Sequence, residues 1–345
     1  MAITHLNLNQ TTSSIEVVSS TIIDKLYELA KTDLDETSNV QGNLQTVHAY
    51  EDAVAYLLAK FTNLQINVTS SAYIRFADSV VQQICASNWG DGTGITIVQA
   101  SVVSSLNHKF IGNVSITSFN EFSKFINVKI LSDNEFQYCS KLTTIDLSNI
   151  TTIGGSVFEG CTALTSILNI NDAITALPSF AFAACKNLSA MHIPVSCTTL
   201  GDQTFKNDAK LAVIDSLANI VSIGNYCFSG CTSITTLDFS NALKTIGDSA
   251  FKECGFTTIT IPSTVTSIGG SAFEQNNVYA STRWAKCLAV TPPADCDRFT
   301  FTSKATYKIY VPDDSVDAYK AATNWSTYIS RIFSLTQFAI DFPNG

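Results

Sequence analysis

The strongest constraint on this chain is a phenylalanine that returns at nearly fixed spacing. Phe110, Phe136, Phe158, Phe182, Phe205, Phe228, Phe251 and Phe273 lie 26, 22, 24, 23, 23, 23 and 22 residues apart. A period between about 20 and 50 residues marks a solenoid, whose repeats bury their apolar faces only against one another. Three residues after each ring stand Asn113, Cys139, Cys161, Cys185, Asp208, Cys231, Cys254 and Asn276. Ahead of the ring comes an apolar residue, usually followed by glycine: Ile153-Gly154, Leu200-Gly201, Ile223-Gly224, Ile246-Gly247 and Ile268-Gly269. Leu131-Ser132 and Leu177-Pro178 hold the same place in weaker form.

Each repeat also carries a run with apolar residues at its first, fourth and sixth places, such as Leu142/Ile145/Leu147, Leu188/Met191/Ile193, Ile234/Leu237/Phe239 and Phe256/Ile259/Ile261. These positions predict a short strand facing inward, with small polar residues such as Thr143-Thr144, Thr235-Thr236 and Thr257-Thr258 facing out. The rest of the repeat reads as a turn and a tight return. Asp208 replaces the column cysteine, and Asn169 and Ser216 stand where the sixth apolar residue belongs, so those repeats are expected to be bulged or shifted.

The pattern I-G-x-x-x-F-x-x-C-x-x-L-x-x-I-x-I-P resembles the BspA-like leucine-rich repeat family over roughly 106–332. The tail from Ile309 through Pro312, Ser315, Tyr319 and Asn324-Trp325-Ser326 is similar to that family's usual ending. The resemblance implies leucine-rich repeats of about 23 residues over 106–276 forming a β-solenoid; with the helical periodicity of the N-terminal region over 1–105, and an irregular last repeat with a C-terminal helical cap over 277–345, the chain reads as α+β. The repeat core expected is Phe136, Phe158, Phe182, Phe205, Phe228, Phe251 and Phe273 with Cys139, Cys161, Cys185, Cys231 and Cys254.

Outside the repeats, 14–31, 46–61 and 72–88 read as helices, and Thr96 with Gln99 offers a capping box for a short helix running into Leu106. Gly90-Asp91-Gly92-Thr93-Gly94 reads as a helix-entry turn, since it lacks the Lys-Ser/Thr of a phosphate loop. Residues 279–301 break the period. Lys308 to Val311 reads as the last strand, 315–323 as a helix capped by Ser315, and 333–345 as a trailing strand.

Five of the ten cysteines share one repeat position, which predicts a buried column of free thiols; Cys287 and Cys296 are the one pair placed to bridge. No C-x-x-C or H-E-x-x-H spacing occurs, so no metal, cofactor or catalysis is expected. A net charge of −9 without any basic run speaks against nucleic acid, and no apolar run is long enough to span a membrane.

The candidate binding surface is the outward face of the strands. Asp146, Leu168, His192, Asp215, Asp238 and Thr260 occupy the fifth place of successive strands, with Thr236 and Thr258 beside them. The register would set Asp215 and Asp238 on adjacent rungs about 5 Å apart, able to share a cation or meet sugar hydroxyls.

Members of the resembled family commonly serve as adhesive surface domains, and its bacterial members usually carry an export signal and a cell-surface anchor. The N-terminal residues here show neither a basic nor an apolar leader segment. The expectation is therefore a non-enzymatic virion surface protein of a tailed phage, a fibre, appendage or decoration. Residues 1–105 would contact other virion proteins and the solenoid a host-surface glycan or protein. A bacterial cell-surface adhesin and a purely structural virion component are the alternatives, and a homo-oligomer is compatible with all three.

Overall fold

The computed structural model describes residues 73–215, 217–274, 284–297, 300–301 and 307–343. The helices expected over 14–31 and 46–61, and the expected bulge at Ser216, lie outside the described residues. The described residues divide into two compact units, one holding 73–75, 82–104 and 123–127, the other 76–81, 105–122 and the described residues from 128 onward.

In the first unit, Ile74 donates its amide to the Ile95 carbonyl, and the Trp89 and Phe125 rings meet edge to face at 6.0 Å. The helix Ile97–Val102 starts at the expected capping box, with Thr96 accepting from the Gln99 amide and Gln99 accepting from that of Thr96. It ends four residues short of Leu106. The helix expected over 72–88 is instead Ser79–Trp89. Its start is set by Asp78, whose carboxylate accepts the amides of Val80 and Val81 and so satisfies two donors that the first turn leaves open.

The second unit is the solenoid. Its front strands pair in parallel as Ser118–Phe119, Thr144–Asp146 and Ser166–Leu168; then Ala190–His192 with Val213–Asp215; then Thr258–Ile261, Trp284–Cys287, Lys308–Val311 and Ile332–Ser334. A flanking ladder joins the apolar-Gly positions in register, Leu177↔Leu200↔Ile223↔Ile246↔Ile268, and separately Leu131↔Ile153. The glycine after each apolar residue has a steric reason. A Cβ on Gly224, Gly247 or Gly269 would lie 2.4–2.6 Å from the backbone of the preceding repeat's Asp202, Asn225 or Asp248.

The phenylalanines form a single file. From Phe136 to Phe273 successive ring centroids are 5.2–5.6 Å apart and the planes lie within 16° of parallel. Such spacing is offset stacking, which adds about 0.5–1.5 kcal/mol per pair to the gain from burial. The file does not end at Phe273. Phe301, 28 residues on, stacks on it at 5.7 Å and 8°. Residues 279–301 therefore contain a rung rather than only a break, and Trp284–Cys287 is its strand.

Beside the rings runs the cysteine column, every member buried and none in a disulfide. Each thiol donates to the carbonyl of the preceding repeat's phenylalanine: Cys139 to Phe110, Cys161 to Phe136, Cys185 to Phe158, Cys231 to Phe205 and Cys254 to Phe228, at 3.0–3.2 Å. Cys287 and Cys296 are also free and buried.

The back of each repeat is neither helix nor strand. Residues two before and two after the ring take left-handed dihedrals, for example Ser156 (φ 54°) and Gly160 (φ 72°) around Phe158, or Tyr226 (φ 54°) and Gly230 (φ 81°) around Phe228. This alternation lets the ring's own amide reach the next repeat, as in Phe158 N to Ala181 O at 2.8 Å and Phe228 N to Ala250 O at 2.7 Å. Backbone pairing thus continues on the back without strands.

Beyond the file, Trp325 and Tyr328 pack against Phe301 at 5.8 and 5.7 Å. Their polar ends are satisfied by loop carbonyls, Trp325 Nε1 by Pro293 and Tyr328 OH by Asp297. Three expectations for this end need correction. Lys308–Val311 is not the last strand, because Ile332–Ser334 pairs with it. The helix Val316–Ala321 has no side-chain cap from Ser315, which is buried. The trailing strand is a helix, Leu335–Asp341, capped by Ser334; Phe338 and Phe342, four residues apart, share one helical face and pack on Trp284 and Tyr310.

Candidate functional site on the front of the solenoid

The front strands place their inward residues as the pattern requires: Ile145, Leu147, Met191, Ile193, Ile259 and Ile261 are buried. The outward fifth places come into register in pairs, Asp146 opposite Leu168, His192 opposite Asp215, and Thr260 opposite Lys286. Asp146 is bonded to Asn169, which follows the strand with a left-handed dihedral (φ 47°).

The pairing of Asp215 with Asp238 is not made. The front ladder stops after Val213–Asp215, and 234–239 carry no strand. Asp215 turns to the other side instead. Its Oδ1 lies 2.9 Å from His192 Nδ1, while Asp172 Oδ1 lies 3.2 Å from His192 Nε2. A carboxylate at each ring nitrogen favours the imidazolium form, in which both nitrogens can donate. The bond to Asp215, and with it that to Asp172, raises the His192 pKa against a smaller opposing effect of burial. The Val195 amide and His192 hold Asp172 below its ordinary range. The three side chains are 41–59% exposed, so solvent screens the cluster and it contributes little to stability. Its effect is to fix three polar groups in one geometry on an open face.

Where the ladder stops, the front opens. Ala212, Val213, Ile214, Leu217, Ala218, Thr236, Leu237 and Asp238 line a cleft of about 460 Å³. Ile214, Leu237 and Phe239 hold inward places by pattern yet are only half-buried, and Val213 is 57% exposed. The cleft therefore mixes apolar side chains with the hydroxyl of Thr236 and the carboxylate of Asp238. Of the expected residues, His192 and Asp215 belong to the cluster, and Asp238 and Thr236 to the cleft. Asp146 and Thr258 join neither. Asp172 was not among the expected residues, because it comes from the turn of the preceding repeat rather than from a strand. Among the described residues no group of three or more His, Cys, Asp or Glu is arranged to hold a metal ion, and no helix is long and apolar enough to cross a membrane.

The stacked rings, the thiol column and the parallel rungs together make the continuous core by which a repeat solenoid is held. A family model of the BspA type leucine rich repeat region, in six copies, matches residues 69–176 and 162–279. The chain belongs to the BspA-type leucine-rich repeat family. Among solved structures this BspA-type chain is similar to a leucine-rich repeat protein of T. pallidum, TpLRR, with 21% identity over 46% of this chain and 67% of that one and a TM-score of 0.36. It is similar also to one from Bacteroides ovatus, with 19% identity over 58% and 69% and a TM-score of 0.31. A third likeness is to a leucine rich cell surface protein from Faecalibacterium prausnitzii, with 18% identity over 61% and 77% and a TM-score of 0.32. No curated protein matches.

Proposed function

We propose that this BspA-type solenoid is a non-enzymatic adhesive surface that meets a glycan or protein through its front face. The observation that carries the reading is the adjoining pair of features there, the fixed Asp172–His192–Asp215 cluster and the half-apolar cleft at Val213, Leu237 and Asp238. Pre-set polar groups beside an open cleft of mixed polar and apolar lining suit recognition of a surface ligand, because little side-chain freedom is lost on contact. The carrier in this reading is the particle of a tailed phage, with residues 1–105 contacting other virion proteins; a bacterial cell surface is the alternative.

Two experiments test it. Binding of the full chain to host cells and to a glycan array is compared with that of Asp238→Ala and of a His192→Ala/Asp215→Ala double variant. Loss of at least tenfold in affinity is expected, and undiminished binding by both variants would refute the front face as the site. Mass spectrometry of purified virions against washed cell envelopes then assigns the carrier.

A further inference from the structure

The cysteine column has one foreign member. Asp208 occupies the column position of the repeat built on Phe205, is fully buried, and neither carboxyl oxygen has a hydrogen-bond partner. Every thiol described in this column donates to the carbonyl of the preceding repeat's phenylalanine, and the carbonyl standing in that relation to residue 208 is that of Phe182. An ionised carboxylate has no proton to donate and would set negative charge against a carbonyl oxygen. A carboxylic acid has the donor that the position uses. The titratable groups acting on this site are the flanking column thiols of Cys185 and Cys231, both neutral because burial pushes them up, and no cation compensates a charge there. Burial likewise drives Asp208 well above the ordinary carboxylate range, against a smaller opposing effect of the Cys185 backbone amide.

The same repeat borders the front cleft. The Leu211 amide donates to the Asp208 carbonyl at 3.0 Å, closing the turn that leads straight into Ala212, Val213 and Ile214 on the cleft wall. We propose that Asp208 is held as a neutral acid whose O–H is directed at the Phe182 carbonyl, and that loss of this proton opens the repeat spanning 205–215. The solenoid then carries a proton-controlled weak rung beside its front cleft, closed in acid and loosened as the pH rises. A single proton is released on opening, to solvent, and no other species is required.

The test is hydrogen exchange of the full chain between about pH 5 and about pH 8, corrected for the intrinsic pH dependence of exchange. In the wild type the opening constant of peptides within 205–215 is expected to rise by up to about tenfold per pH unit, while peptides within 136–147 stay flat. Asp208→Cys, which restores the column, and Asp208→Asn, which removes the charge, are expected to abolish the slope. A flat wild type, or the same slope in a folded variant, overturns the proposal. Should neither variant fold, ¹³C-aspartate NMR of the wild type decides it: one carboxyl titrating at least two pH units above ~3.9 supports the neutral acid, and ordinary titration of all of them overturns it.

Discussion

The Cys161 thiol donates to the carbonyl of Phe136 at 3.1 Å, one repeat away. The bond ties the two columns of the core together, so the thiols act as donors as well as small apolar fillers. Burial pushes Cys139 up to about 12 and raises Cys161 and Cys185 well above the ordinary thiol range. Ellman's reagent is therefore expected to modify none of Cys139, Cys161, Cys185, Cys231 and Cys254 in the native protein and all of them in denaturant. Rapid labelling without unfolding would contradict the column. Cys231→Ala, which leaves the Phe205 carbonyl without this partner, is expected to cost about 1–3 kcal/mol in a urea melt.

The extension of the ring file to Phe301 has its own test. Phe301→Ala should destabilise by about 3–5 kcal/mol, as Phe228→Ala should, because both rings are fully buried between aromatic neighbours. A cost below about 0.5 kcal/mol would place Phe301 on the surface.

The left-handed back positions yield an opposed pair. Ala184 and Gly160 hold the same place, two residues after the ring, with φ of 60° and 72°. Ala184→Gly is expected to stabilise by about 1 kcal/mol, since glycine adopts this conformation without a Cβ penalty. Gly160→Ala is expected to destabilise by about 1–2 kcal/mol, for the added Cβ is strained there and also meets the Tyr138 ring. Thermal melts of the two variants decide the matter, and equal signs would refute the assignment.

For the cluster, the His192 midpoint followed by NMR should lie above the ordinary ~6.5, and Asp215→Asn should bring it down. The sign for stability follows. A histidine raised by carboxylates contributes fully below its unfolded pKa, and that contribution is lost as the pH climbs through the folded value. An unchanged midpoint in Asp215→Asn would mean that Asp215 does not hold the ring.

The repeat was legible because its core residues are chemically exclusive: only aromatic and thiol side chains occupy the ring and column places from Phe136 to Cys185. The left-handed back was not, since Ser156, Phe180, Gln203 and Tyr226 share a dihedral and no chemistry. Phe301 was hidden by a longer spacing, and the C-terminal helix by the i, i+2, i+4 run of Phe338, Ile340 and Phe342, which alternates like a strand while also setting its two rings on one helical face. The front was legible in register and not in continuity. Ile234, Leu237 and Phe239 follow the strand pattern, yet no ladder forms there.

Because each ring meets another phenylalanine on either side, the interface between repeats is nearly the same at every step of the file. Inserting or deleting a whole unit leaves matching surfaces in contact, so such a molecule can be lengthened or shortened in increments of one ring without redesign of its interior. Reach, in a protein built this way, is free to vary while the surface chemistry stays put.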